Sequence, residues 1–206
     1  MPRPRYREDD KTAVDKIEEA FWECLREGPY SKITIASIVR KAHLNRNTFY
    51  YHFCDVDEMA RCFVNERLVD PILPQLLEQF MRGEEELGAL LERADFKARA
   101  NRICLIASRN SSPELRDMLE GAIRAIWSGR FGVDFARVDA IDGVLLEFTL
   151  GGLLAIFASF AARGDSVDPG MFADPRLQAL VRQNFARVVA IAERLPPIAD
   201  GLPDSP

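Results

Sequence analysis

The sequence has few of the residues on which enzymes and metal proteins usually depend. Its 206 residues include only two histidines, and they contain no HExxH, GxSxG or glycine-rich phosphate-loop pattern. The four cysteines form neither a CxxC pair nor zinc-finger spacing. These absences exclude the common catalytic and zinc-binding motifs, so we expect a protein that is not an enzyme and that needs no metal or cofactor.

No apolar segment near the N-terminus resembles a secretory signal, which favours reduced thiols and a cytoplasmic location. Cys54 and Cys62 are close in sequence. We interpret them as small packing residues, and a redox switch is the alternative.

Long apolar runs are also scarce. The most apolar stretch, Phe148 to Ala162, carries no charge over fifteen positions. A membrane-spanning helix needs about 20 apolar residues, so this stretch predicts a helix buried in a core or in a subunit interface rather than a membrane span. No segment shows the alternation of a strand, and the sequence predicts an all-α fold.

Charge gives no general attraction to nucleic acid, because the net charge is −5. One segment differs, since no acidic residue occurs from Gly28 to Cys54 while four cations do. These cations are Lys32, Arg40, Lys41 and Arg46. Residues 1–10 add a basic arm with arginines at positions 3, 5 and 7, which either contacts DNA or is a disordered solubilising tail.

Apolar periodicity and capping residues predict a series of helices. The first covers residues 11–27 with Asp10 as its cap, and short second and third helices follow Thr34 and Asn45. Asp55 and Glu58 resemble a capping box, so a linking helix begins near Val56 and runs through Leu68. Further helices are predicted at 72–82, 86–108, 113–129, 138–163 and 175–195, followed by a disordered tail at 196–206.

Residues 34–53 have the proportions of a helix-turn-helix motif, whose second helix lies in the DNA major groove. The predicted organisation is therefore a three-helix DNA-binding domain at 11–54 and a linking helix at 55–70. A larger helical-bundle domain follows at 71–195.

The run from Thr34 to Phe53 resembles the DNA-binding signature of the TetR family of transcriptional regulators. The match is strongest in Thr-Phe-Tyr-Tyr-His-Phe at positions 48–53, and the resemblance covers about a quarter of the chain. Two positions depart from the family pattern. His43 stands where the family usually has a turn glycine, which requires a positive φ. Val56 stands where a lysine of the family commonly contacts a DNA phosphate. Either the affinity for DNA is weaker, or backbone N–H groups at the helix start make that contact instead.

The resemblance implies roles that the side-chain chemistry also allows. Arg46, Asn47 and Thr48 would recognise guanine, adenine and a thymine methyl group. Tyr50, Tyr51 and His52 would contact phosphates, as would Thr34 in addition to capping its helix. Phe49 and Phe53 are predicted to be buried structural residues.

For the C-terminal domain, the resemblance implies five or six helices, dimerisation through the last two, and often a small-molecule pocket. Gly151 and Gly152 would allow close helix approach in the dimer, or else mark a local kink. The residues that would line an apolar pocket, unless they are plain core, are Met118, Trp127, Phe131, Phe135 and Phe148.

The predicted function is a homodimeric transcriptional regulator that binds double-stranded DNA at a near-palindromic operator. We expect a repressor released by a small apolar or amphipathic effector, with no membrane association. The alternatives are an activator, a regulator without an effector, or a helical protein-interaction module that does not bind DNA.

Overall fold

The computed structural model describes residues 12–68, 82, 94–108, 110–164, 167 and 173–195. Within these residues the fold is all-α and contains no strand, as predicted. The helices are α1 Ala13–Glu27, α2 Ile35–Lys41, α3 Arg46–His52, α4 Val56–Cys62, α5 Ala94–Ala107, α6 Pro113–Phe131, α7 Ala140–Arg163 and α8 Pro175–Arg194. A 3-10 turn at Tyr30–Lys32 follows α1, and a π-helical turn at Phe63–Leu68 continues α4. The predicted arm, the helix at 72–82 except for residue 82, the start of the helix at 86–108 and the tail lie outside the described residues.

Side-chain caps fix where the short N-terminal helices begin. The predicted caps Thr34, Asn45 and Asp55 each accept a hydrogen bond from the backbone N–H three residues later. The prediction of Asp10 as the cap of α1 was wrong, because Thr12 forms a capping box with Asp15. A cap next to the first helical turn satisfies N–H groups that the helix itself leaves unpaired, and Asp10 is two residues too early for this.

The turn between α2 and α3 has the backbone that its sequence position predicted. His43 has a φ of 53°, and among the described non-glycine residues it alone has a positive φ. The Leu44 N–H donates to the carbonyl oxygen of Val39 at 2.9 Å, which closes the turn after α2. A histidine therefore takes the left-handed conformation that glycine adopts at lower cost.

Aromatic packing holds α3 against the rest of the N-terminal helices. Phe49 is fully buried and Phe53 nearly so, as expected. Their ring centroids are 5.8 Å apart, and Phe53 contacts Phe63 of the π-helical turn at 5.4 Å. We call residues 12–54 the head and helices α5–α8 the body.

The head and the body share one hydrophobic core. The cluster that contains Phe21 and Phe49 continues into Ile106 of α5 and into Leu115 and Leu119 of α6. Two further clusters lie within the body, one around Phe160 and the other around Trp127. Because the first cluster crosses from α1 to α6, α1 is packed directly onto the body.

Candidate nucleic-acid interface

The exposed surface of α3 follows from the burial of a single residue. Phe49 is directed into the core, so the residues around it on this seven-residue helix lie on the solvent side. Arg46, Asn47, Tyr50, Tyr51 and His52 are all exposed. The helix thus brings most of the predicted DNA-contacting side chains together on one surface.

Aromatic and imidazole groups dominate the C-terminal half of this surface. Tyr51 is 85% exposed and Tyr50 is 56% exposed, which is unusual for side chains of this size. The ring of Tyr51 meets that of His52 edge-on at 5.0 Å, and Tyr50 rests against Phe49 at 5.9 Å. Two phenol groups and an imidazole therefore face solvent as hydrogen-bonding groups.

Two predicted contact residues also serve the helix starts. Thr48 is half-buried, and its hydroxyl lies 3.1 Å from the Asn45 Oδ1 atom that also accepts the Thr48 N–H at 2.8 Å. Thr34 Oγ1 accepts the Ser37 N–H at 3.1 Å, which leaves its own hydroxyl hydrogen for another acceptor. Thr34 is exposed and can donate to a phosphate oxygen, whereas the hydroxyl of Thr48 is already used within the helix cap.

The four cations of the acid-free segment do not have the same environment. Lys41 Nζ lies 2.7 Å from Glu27 and 3.7 Å from Glu23, both on α1. The hydrogen bond to Glu27 raises the pKa of Lys41. Lys32, Arg40 and Arg46 are exposed, and none of them forms an ion pair with another residue of the described part of the chain. Sequence reasoning missed the pairing of Lys41, and the spacing of Glu23 and Glu27 one helical turn apart was its only signal.

Val56 packs against the core cluster of the head as the first residue of α4. The start of α4 is acidic, because Asp55 is its cap and Asp57 and Glu58 lie in its first turn. The Cys54 N–H donates to Glu58 at 2.5 Å. These carboxylates oppose a phosphate contact at this end of the head, so the backbone alternative for the missing lysine is not favoured.

The five predicted pocket residues do not all lie together. Trp127, Phe131 and Phe135 belong to one cluster of the body, where the Trp127 and Phe135 rings stack at 6.5 Å. Met118 packs against the separate cluster shared with the head. Phe148 is 66% exposed on α7. Phe148 therefore does not face the interior with the other four residues, and a ligand pocket lined by these side chains stays a prediction.

The four cysteines are free thiols, and Cys54 is exposed beside α3. A hydrogen bond with Glu58 raises the pKa of Cys54, and burial raises that of Cys62. Both shifts lower the thiolate fraction and do not favour a redox role. Among the described residues, no group of three or more His, Cys, Asp or Glu side chains is arranged to hold a metal ion.

No family model matches the chain. One solved structure, a dihydroxyacetone kinase operon activator named DhaS, is similar at 14% sequence identity. The similarity covers 89% of this chain and 98% of that one, with a TM-score of 0.33.

Proposed function

We propose that this protein is a dimeric, sequence-specific DNA-binding regulator of transcription. The observation that carries the proposal is the surface of α3, on which Arg46, Asn47, Tyr50, Tyr51 and His52 are exposed around a buried Phe49. An α-helix with its side chains is about 10–12 Å across, and a major groove about 12 Å wide admits it. The seven residues of α3 are about 10 Å long, so the exposed side chains span a short stretch of such a groove.

In this proposal each exposed group of the head has a specific partner. Arg46 donates two hydrogen bonds to guanine and Asn47 pairs with adenine, while the methyl group of Thr48 contacts a thymine methyl. Tyr50, Tyr51, His52 and Thr34 bind phosphates and fix the register of α3. The exposed cations Lys32 and Arg40 add electrostatic attraction, and the basic arm at 1–10 would add more.

The proposed dimer uses the outer face of α7. Ile141, Val144 and Phe148 follow one another at steps of three and four residues and are 71%, 66% and 66% exposed. From Gly151 to Ala162 the exposed residues of the same helix are small, and a Cβ added at Gly151 or Gly152 would meet nothing within 4 Å. A second copy can therefore approach closely at the glycines, and α7 and α8 of both copies would form a four-helix bundle around a twofold axis.

By length and composition alone, α7 is also apolar enough to cross a membrane. Two ion pairs tie its N-terminal half to neighbouring helices, however. Asp142 accepts from Arg194 of α8 at 2.6 Å, and Glu147 accepts two hydrogen bonds from Arg124 of α6. Charged groups of this kind are costly inside a bilayer, which favours a subunit interface.

In this proposal residues 11–54, which include the head, form the DNA-binding domain. Residues 55–70 form a linking helix, and residues 71–195 form the dimerisation and ligand-binding domain. We further propose repression relieved by a small apolar or amphipathic effector. The cluster of Trp127, Phe131 and Phe135 provides aromatic lining for such a ligand. An activator, or a regulator without an effector, would use the same head, and a reporter placed behind the selected operator distinguishes these cases by the direction of its response.

The test of DNA binding is selection of sites from a random duplex pool at two salt concentrations. We expect a near-palindromic consensus, because a twofold dimer places two copies of α3 in successive major grooves about 34–36 Å apart. No enrichment at either salt concentration would favour the helical interaction module instead.

Variants then separate base recognition from phosphate binding. We expect Arg46→Ala to cost about 1–3 kcal/mol and to relax the preference at one base pair. We expect Arg40→Ala to weaken binding to all DNA sequences equally. The slope of log affinity against log salt concentration should fall by about 1, which corresponds to the loss of one phosphate contact. The double variant of Arg46→Ala and Tyr50→Ala should lose most operator binding and remain a folded dimer. Arg116→Ala, an exposed arginine of α6, is the matched control, and equal losses in control and test variants would contradict the site.

A further inference from the structure

One buried carboxylate connects three parts of the chain. Glu18 of α1 is among the few buried charged residues of the described part, with only 8% of its side chain exposed. Its Oε1 atom accepts from Arg102 of α5 at 2.5 Å and from Trp22 Nε1 at 3.3 Å. Its Oε2 atom accepts from Arg67 of the π-helical turn at 2.7 Å. We call this arrangement the Glu18 hub.

The charges of the hub balance one another. Arg67 also donates to Asp15 at 2.6 Å, so two guanidinium groups face two carboxylates. The Arg102 guanidinium lies 5.4 Å from the centre of the Trp22 ring, which adds a cation–π contact. A buried carboxylate that loses one partner remains desolvated without full compensation, so the hub strongly disfavours any arrangement that separates α1 from α5.

A second contact holds the end of the same helix. Asn110, in the loop between α5 and α6, donates through Nδ2 to the carbonyl oxygens of Leu25 and Arg26 at 3.3 and 3.4 Å. The Asn110 carbonyl oxygen accepts the Tyr30 N–H at 2.9 Å. Residues 18 and 26 are about 12 Å apart along a helix, so these two attachments fix the direction of α1 as well as its position.

The π-helical turn sets the position of the third partner. Short π-helical segments are rare and occur often at functional sites. Shifting the helix by one residue would rotate the following side chains by about 100°. Such a shift would remove the Arg67 guanidinium from Asp15 and Glu18.

We propose that Glu18, Arg102 and Asn110 are positioning residues that fix the orientation of the head on the body, and thereby the spacing of DNA half-sites that the dimer accepts. The orientation itself does not depend on DNA, whereas its consequence for half-site spacing rests on the proposed function. Residues that only stabilise the fold would not change the half-site spacing that the dimer prefers, whereas residues that position the head would change it. The two roles are therefore distinguishable by experiment.

The first experiment measures the orientation without DNA. Spin labels are placed on Cys54 of the head and on Ser128→Cys of α6, both exposed, in a Cys62→Ser background diluted with unlabelled protein. We expect the label distance distribution to broaden in Arg102→Gln and to stay narrow in Arg102→Lys, which keeps the charge. Arg124→Gln is the control, because it breaks an ion pair of similar geometry inside the body.

An unchanged distribution in Arg102→Gln would overturn the proposal. If that variant does not fold, Asn110→Ala decides the question, since it removes only the attachment at the end of α1. The same broadening in Arg124→Gln would also overturn the proposal, because the effect would then not be specific to the hub.

The second experiment measures operator spacing. Inserting one base pair between half-sites rotates them by about 34° relative to each other. Wild-type protein should bind the half-site spacing of its selected consensus more tightly than a spacing longer by one base pair. In Arg102→Gln the ratio of these two affinities should fall about tenfold, and in Arg102→Lys it should stay near the wild-type value. A preference that stays the same in Arg102→Gln would overturn the link to spacing. A wild-type protein that binds no duplex would instead contradict the proposed function, and the label distances would still decide the orientation.

Discussion

The exposed apolar face of α7 gives a quantitative prediction about assembly. Phe148 is 66% exposed and contributes to none of the buried clusters that the described residues form. Replacing it with alanine should therefore leave the folded monomer almost unchanged. If a second copy covers this face, the same substitution should weaken the dimer strongly.

The magnitude follows from the exposed area. A phenylalanine buries about 150–250 Å² when fully covered, so two thirds of that area leaves about 100–160 Å² for the partner to cover. At about 25 cal/mol per Å² this corresponds to about 2.5–4 kcal/mol per subunit, and a twofold dimer contains the contact twice. Alanine keeps some of the contact and interface area converts incompletely into affinity. We therefore expect a loss of about 3–4 kcal/mol, which raises the dimer Kd about 100- to 1,000-fold.

The assay is sedimentation equilibrium of Phe148→Ala over a wide range of protein concentrations, with circular dichroism to verify the helical content. Tyr51→Ala is the matched control, because it removes an even more exposed aromatic ring from the head rather than from α7. The control should have the wild-type Kd. The wild-type Tm should rise with protein concentration, as expected when association stabilises the folded state.

Three results would refute this reasoning. An unchanged Kd in Phe148→Ala would show that another surface holds the dimer, or that the chain is a monomer. Equal weakening in Tyr51→Ala would show a general effect of removing exposed aromatics. Binding of the wild-type protein to neutral lipid vesicles, lost in Phe148→Ala, would assign the face to a membrane instead.

Two further predictions concern the head. His43→Gly should stabilise the protein by about 0.5–1 kcal/mol. The left-handed conformation costs most residues about 1–2 kcal/mol, and the greater chain entropy of glycine in the unfolded state offsets part of that gain. Urea unfolding measures the difference, and a loss of stability would contradict the reasoning. Burial, followed by the hydrogen bond to Asp57, raises the pKa of Tyr30 above its ordinary value of 10, so its stabilising contribution is complete below pH 10 and decreases as the pH rises further. Tyr30→Phe should be less stable than wild type at pH 7, and urea unfolding midpoints should show the difference narrowing above pH 10.

Local sequence predicted the head well because its determinants are local. Thr34, Asn45 and Asp55 mark helix starts through hydrogen bonds that span only three residues. The positive φ of His43 follows in the same way from a short turn between two capped helices. Sequence pattern and structure agree where a few neighbouring residues determine the geometry.

The errors arose where distant segments decide the environment of a side chain. The residues of α7 are apolar on nearly all sides, so its sequence could not show that Phe148 faces outwards rather than into a pocket. The two arginine partners of Glu18 lie 49 and 84 positions away in the sequence. No periodicity connects them, and the hub became visible only once α1, the π-helical turn and α5 were packed together.

These long-range contacts also bear on how an acidic chain can present the proposed DNA-binding surface. The net charge of −5 argues against nucleic acid only if the carboxylates are free to repel phosphate. In α1, Asp15 and Glu18 are paired with arginines, and Glu27 is paired with Lys41. Such pairs compensate one another at short range, and screening reduces what remains beyond about 8–10 Å. The local balance near α3 is then set by exposed cations such as Arg46 on one side and by the carboxylates at the start of α4 on the other. The exposed charges around α3 are therefore a better guide to DNA binding than the net charge.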